Sequence, residues 1–230
     1  MKHFLYALLA LGLCSCASNN FQIEGHTSSP QLDGKMVYVK AINGLDMVAV
    51  DSCEVIHGNF SMTGPCDTVR MAELFMDDMQ VMPLVLEPAA LTVCLDDTLM
   101  RVSGTELNDQ LYEFLKQKNS LEMEFQELPR RESQMYLAGK DEYEINQVLS
   151  GEANRLTRAY DQLVMKYLTE NFDNILSVGV FIIHTNNGQP PMMNAQIDDI
   201  MSKASESFKA NAYVQEFIKA AEANMRNIGQ

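Results

Sequence analysis

The chain has 230 residues, of which 47% are apolar and 21% charged, enough to bury roughly 70% of the surface exposed on unfolding and so to hold a core without a metal or disulfide staple. Its 31 acidic residues against 17 basic ones give a formal charge of −14. With no basic stripe anywhere, that balance opposes nucleic-acid binding, which gains its free energy from Lys and Arg displacing phosphate counterions, and the apolar content argues against overall disorder.

Met1-Lys2-His3 forms a short positive start, and Phe4 to Leu13 is an apolar run too short to cross a hydrocarbon layer of ~30 Å, so residues 1–15 read as a secretory signal. Leu13-Cys14-Ser15-Cys16 resembles a bacterial lipobox, with an aliphatic residue three positions before the acceptor and a small one immediately before it. Cys16 is the expected lipid acceptor; Cys14 is the weaker one because Leu13 would precede it. Residues 16–20 then form a lipidated tether. Several acyl chains on one cysteine hold a protein to a membrane where a single chain is marginal. Ala17 after the acceptor points to the outer membrane, and the lack of an acidic run after Cys16 points to its periplasmic side. Removing residues 1–15 takes only one charge, Lys2, so the remainder is more acidic still. Such a charge disfavours laying the folded part on an anionic membrane.

Residues 21–103 carry short β-branched and apolar runs between turn signals: Phe21 to Gly25, Met36 to Ile42, Met47 to Ile56, Phe60 to Gly64, Thr68 to Phe75, Val81 to Leu86, Leu91 to Leu95 and Leu99 to Val102. This spacing predicts an antiparallel β-sandwich or barrel. Asp33-Gly34, Asn43-Gly44 and His57-Gly58 supply the positive φ of tight turns. Alternation puts Phe60 and Met62 on one face, and points Cys94 away from the row Leu91, Val93, Leu95. Blurred parity at Asp51-Ser52 predicts a bulge there, and Pro83 makes its run an edge strand or a break.

From residue 104 to residue 230 the period becomes helical, so the fold class is α+β, with a helical region packed on or beside the sandwich. Thr105 is the candidate cap of a first helix that carries Leu107, Leu111, Phe114, Leu115, Leu121, Phe125 and Leu128 and is expected to stop at Pro129. A second amphipathic helix is expected over Glu142–Leu168, a buried one over Ile175–Ile183, ending at Asn186-Asn187-Gly188-Gln189-Pro190-Pro191, and two more over Ala195–Phe208 and Val214–Asn227. The last of these has Val214, Phe217, Ile218, Ala221 and Met225 on its stripe.

Few constellations carry chemistry. Cys53, Cys66 and Cys94 remain after Cys16; their odd number in an oxidising compartment leaves a free thiol or an interchain bond, and no CxxC spacing supplies a redox dithiol. Their plain reading is buried small side chains or one disulfide. Met76, Met79 and Met82 recur at steps of three, and thioethers suit Cu(I), although Met also serves as core filler. His26, His57 and His184 have no zinc-ligand spacing, so no metal and no cofactor is expected from local sequence. The pairs Asp77-Asp78, Asp96-Asp97 and Asp198-Asp199 read as solvated turns or faces rather than paired catalysts, and neither a GxSxG elbow nor a phosphate loop is present. The expectation is a protein that is not an enzyme.

The succession Phe21-Gln22-Ile23-Glu24-Gly25, Asp33-Gly34-Lys35-Met36-Val37-Tyr38-Val39, Asp51-Ser52, His57-Gly58-Asn59-Phe60-Ser61-Met62-Thr63-Gly64 and Val102-Ser103-Gly104-Thr105-Glu106-Leu107-Asn108-Asp109 resembles the uncharacterised lipoprotein domain that precedes thioredoxin-like domains in periplasmic thiol-disulfide interchange proteins of some Gram-negative bacteria. Tyr167 to Ser177 is similar to a later stretch of that module, where Asn-Pro-x-Ser opens a buried helix, and departs from it at Asp173 and Asn174. Ile228-Gly229-Gln230 resembles the start of the thioredoxin part, but no Trp and no CxxC follow Cys16, so no catalytic residue carries over. The resemblance implies a β-sandwich followed by helices, in a periplasmic setting. The functions expected are a lipid-anchored binding or scaffold module; alternatively an accessory of thiol-disulfide exchange, with Cys53, Cys66 or Cys94 bonding transiently to a separate thioredoxin-like partner; and thirdly Cu(I) binding through Met76, Met79 and Met82.

Overall fold

The structure, a computed structural model, describes residues 19–96, 99–186 and 188–228. The signal, Cys14, Cys16, Asp97, Gly229 and Gln230 lie outside the described residues. Strict alternation of buried and exposed positions builds the first strands. In β1 (Asn20–His26) Phe21, Ile23 and Gly25 turn inward, and in β2 (Met36–Asn43) Val37, Val39 and Ala41 do. β3 (Asp46–Glu54), β4 (Asn59–Pro65), β5 (Arg70–Met76), β6 (Met79–Leu86), β7 (Ala90–Asp96) and β8 (Leu99–Ser103) follow, so each of the eight expected runs is a strand. They form two four-stranded sheets, ordered β4-β1-β7-β8 and β3-β2-β5-β6. Pairing is antiparallel except between β1 and β7, which run parallel with Ile23 opposite Leu91 and His26 opposite Cys94. That pair departs from the all-antiparallel expectation because strands so far apart in the chain are joined by long crossings rather than a hairpin.

The turns behave as their residues require. His57 (φ 52°) and Gly58 (φ 74°) both adopt positive φ between Ile56 and Asn59, which form an isolated bridge. Asp77 (φ 50°) and Asp78 close the β5–β6 hairpin, and Lys35 Nζ donates to Asp77 Oδ2 at 2.7 Å. The expected bulge at Asp51-Ser52 lies one residue earlier: Val39 faces Asp51 and Lys40 faces Ala49, leaving Val50 unpaired. β6, with Pro83, is an edge strand, as the missing N–H of proline demands.

Thr105 caps α1 (Glu106–Leu137), its hydroxyl accepting from Asn108 N–H. Contrary to the sequence reading, α1 does not stop at Pro129 but runs two turns past it. A proline inside a helix deletes one backbone hydrogen bond, and here the helix is held on both sides by α2 (Glu142–Asn171), with Arg155 paired to Glu124 at 2.7 Å before the proline and Arg131 paired to Glu152 after it. From Leu115 to Glu144 no residue is buried, so this end of the α1–α2 hairpin is an ion-paired arm around Gly139. Asn174, which departs from the resembled motif, caps α3 (Ile175–Thr185) by accepting from Leu176 N–H at 2.8 Å, while Ser177 donates to the Asn174 carbonyl.

α3 lies on β5. Gly179 faces the Met71 thioether, and a Cβ there would come 2.7 Å from Met71 Sδ, so the methionine packs directly against the helix backbone. The helix expected over Ala195–Phe208 is instead two, α4 (Ala195–Lys203) and the single-turn α5 (Glu206–Lys209). Ser205 breaks them, donating to the Phe172 carbonyl at 2.7 Å and capping α5, which brings Phe208 edge-on to Phe172 and Phe181. α6 (Ala212–Ile228) buries Val214, Phe217 and Ala221, with Ile218 partly buried and Met225 exposed, which departs from the expected stripe at its last member. One apolar cluster runs from Phe21 and Ile23 through Leu74 and Leu84 to Phe181 and Phe217, so strands and helices share a core. No described helix is long and apolar enough to cross a membrane.

Asn108 joins the two halves. It is fully buried on the first turn of α1, where Val85 N–H donates to its Oδ1 at 2.9 Å and its Nδ2 donates to the Val85 carbonyl at 2.9 Å and to Thr105 Oγ1. β6 has no strand beyond it, so the asparagine amide completes the outward hydrogen bonds of Val85. Asn108→Ala leaves two buried backbone groups unpaired and is expected to cost about 3 kcal/mol, read as a lowered denaturation midpoint in urea. Asn108→Asp, which keeps the acceptor but not the donor, should fall between the variant and the parent.

Candidate functional site

Two edge strands and α1 frame a cleft of about 640 Å³. One wall is Val81, Met82 and Pro83 of β6, the opposite wall Leu99, Met100 and Arg101 of β8, and Tyr112, Leu115, Lys116 and Met123 of α1 lie across it. Leu99 (53%), Met100 (48%) and Met123 (67%) keep much of their apolar surface in water. Arg101 is tied to Asp109 at 2.6 Å, which places an ion pair on the cleft lining. Tyr112 donates to the Pro83 carbonyl at 3.0 Å, and burial pushes its phenol well above the ordinary range.

Behind this wall lies Glu73 of β5, 4% exposed. It shares the helix-facing side of its sheet with Met71, and its Oε2 has no hydrogen-bond partner. Burial pushes its carboxyl up to about 7, against a hydrogen bond with Gln80 that pulls it down. Below the unfolded value near 4.5 both states are protonated and stability is complete. As pH rises from 4.5 toward 7 the folded chain binds more protons than the unfolded one, so stability falls, and above 7 the loss is complete. Glu73→Gln should abolish this slope and stabilise the protein at pH 8, by on the order of 3 kcal/mol at most, while changing little at pH 4. Denaturant titrations at the two pH values check it.

The three body cysteines are free and are not brought together. Cys53, on edge strand β3, is half-buried; Cys66 and Cys94 are buried. Burial raises all three thiols above their ordinary value, and at Cys94 the Asp96 carboxylate adds to the effect. Since the thiolate is the nucleophile, each is a poor attacking group near neutral pH. Of the thioethers, Met76 (6%) and Met82 (4%) point into the core, and Met79 (72%) stands in water at the β5–β6 hairpin. Asp78 is exposed beside it, Asp199 pairs with Lys203 on α4, and His184 Nδ1 lies 3.3 Å from the Tyr160 hydroxyl, with burial pushing its imidazole below the ordinary value.

Sequence reasoning missed one grouping. His26, Cys94 and Asp96 present a ring nitrogen, a thiol sulfur and a carboxylate oxygen within 4.8 Å of one another. Cys94 and Asp96, two apart in a strand, already share a face in sequence; only the β1–β7 pairing brings His26 to them.

Residues 21–111 match the family model described as a domain of unknown function, DUF4369. The matched residues take in β1 from Phe21, strands β2 to β8 and the opening of α1, including Asn108. No curated protein matches the chain.

Proposed function

We propose that this protein is a binding module without a reaction centre of its own, carried in the cell envelope by lipid on Cys16, and that it receives an extended apolar segment of another envelope protein in the cleft between β6, β8 and α1. The observation that carries this reading is the exposed apolar lining: Leu99, Met100 and Met123 remain in water around a hollow whose walls are two sheet edges. Methionine side chains repack around different occupants, which suits a surface that accepts sequence-variable segments. Pro83 withholds an N–H on the β6 side, so pairing by backbone is left to β8 and the rest of the affinity comes from apolar burial.

Peptides selected on the purified protein from a random display library are expected to be enriched in apolar and aromatic residues. Met123→Glu should weaken their binding at least about tenfold, or ~1.4 kcal/mol, with the fold intact by circular dichroism. An unenriched pool, or binding indifferent to Met100→Glu and Met123→Glu, defeats the proposal, as does turnover in thiol-reductase or hydrolase screens. The anchor has its own measurement: the full chain expressed with a labelled fatty acid should carry label, and Cys16→Ser should not, whereas label retained on Cys16→Ser removes Cys16 as the acceptor.

Participation in thiol-disulfide exchange with a thioredoxin-like partner is a second reading, supported by the partial exposure of Cys53 on an edge strand and by the resemblance drawn from sequence. The raised thiols count against it.

A further inference from the structure

We infer that His26, Cys94 and Asp96 form a binding site for a divalent transition metal of the zinc class, on the outer face of the sheet β4-β1-β7-β8. The inference does not depend on the cleft reading, since the two sites use different residues.

The outer face of this sheet faces water: Gln22, Glu24, Ser61, Thr63 and Thr92 are all exposed. Among them Cys94 is buried, at 9%, though it points away from the core row Leu91, Val93, Leu95. The parallel register sets His26 directly opposite Cys94, and Asp96 follows on the same face of β7. Cys94 Sγ lies 3.3 Å from Asp96 Oδ2, and the three donor atoms fall within 4.8 Å of one another. Zinc bonded to nitrogen, sulfur and oxygen at about 2.0–2.3 Å in tetrahedral geometry needs its ligands ~3.3–3.6 Å apart, so the sulfur and the carboxylate already stand at that separation. His26 is exposed, and its ring nitrogen lies within 4.8 Å of the sulfur and the carboxylate oxygen.

The carboxylate is aimed. Ser28 N–H donates to Asp96 Oδ1 at 2.6 Å and Ser28 Oγ at 2.7 Å, which commits one oxygen to the protein and leaves Oδ2 facing the sulfur. Metal-binding carboxylates are oriented by outer partners in this way. Ser28 is itself positioned through Thr27, whose hydroxyl donates to the Leu95 carbonyl at 2.7 Å. Arg101 lies opposite Cys94 on β8 and is paired with Asp109.

Charge also fits. On binding, the Cys94 S–H bond breaks, its proton goes to solvent and the sulfur lone pair forms the metal–sulfur bond. Thiolate and carboxylate then balance the 2+ ion while neutral His26 contributes a ring nitrogen. Nitrogen, sulfur and oxygen donors together suit zinc rather than an all-oxygen ion such as Mg²⁺ or Ca²⁺. Three protein ligands leave the fourth position open on the water side.

Titration of the reduced full chain with Co²⁺, a spectroscopic stand-in for Zn²⁺, tests the site. One equivalent should produce a thiolate-to-metal band in the near ultraviolet and tetrahedral d–d bands in the visible, and Zn²⁺ should bleach both. Cys94→Ser should abolish the near-ultraviolet band. His26→Gln, on an exposed residue whose loss leaves the core untouched, should weaken binding more than about 100-fold. Ser28→Ala, which removes one of the two donors to Asp96, should weaken it about tenfold. Cys53→Ser should bind as the parent does. The proposal is overturned if the parent shows no thiolate band, if the band survives Cys94→Ser, if it tracks Cys53, or if His26→Gln binds Co²⁺ as tightly as the parent.

Discussion

The outward edge of β6 is the constraint around which the rest is arranged. An edge strand that is also buried has backbone groups that neither water nor a neighbouring strand can satisfy, and each such group costs free energy unless a side chain meets it. Asn108 meets both groups of Val85 at once, and Thr105, one turn earlier, holds the asparagine amide and caps the same helix. The first turn of α1 is thereby fastened to the sheet at a fixed place. From there α1 crosses toward β8, and the hollow between β6, β8 and the helix follows from that crossing.

The two sheets then have different fates. The sheet containing β5 is covered on its outer side by α1 and α3, so Met71, Ala72, Glu73 and Leu74 are buried in succession. A strand buried on both faces has no wet side on which to place a carboxylate, and burial pushes the Glu73 carboxyl up to about 7 as the result. The other sheet keeps its outer face in water, and there polar and metal-ligating side chains are tolerated and can be grouped. His26 and Asp96 stand on the open sheet, the cleft lies at the rim between the two sheets, and the covered sheet packs against the helices.

Most of the architecture was legible because its signals are local. All eight strands show as short apolar and β-branched runs between turn residues, and Thr105 as a cap, the amphipathic α2 and the apolar run of α3 are read from spacing alone. The departures have tertiary causes. α1 passes Pro129 in a stretch that lies against α2, with ion pairs to α2 on either side of the proline, and the last helices divide at Ser205, whose hydroxyl reaches the Phe172 carbonyl, 33 residues away in the chain. Of the candidate site, sequence identified Cys94 but not its neighbours in space, and Met82, read as a thioether ligand candidate, is in the core and on the cleft wall.

By itself the sequence determined the α+β class, the order of strands and helices, the turns at His57-Gly58 and Asn43-Gly44, and the acidic balance, since each depends on neighbours a few residues apart or on composition. Tertiary structure alone decided that β1 and β7 lie parallel, that β6 and β8 are the sheet edges beside α1, and that His26 stands against Cys94 and Asp96. Those facts rest on which strands pair across long separations. That choice is set by burying both sheets and the helices in one common core, and no local pattern encodes it.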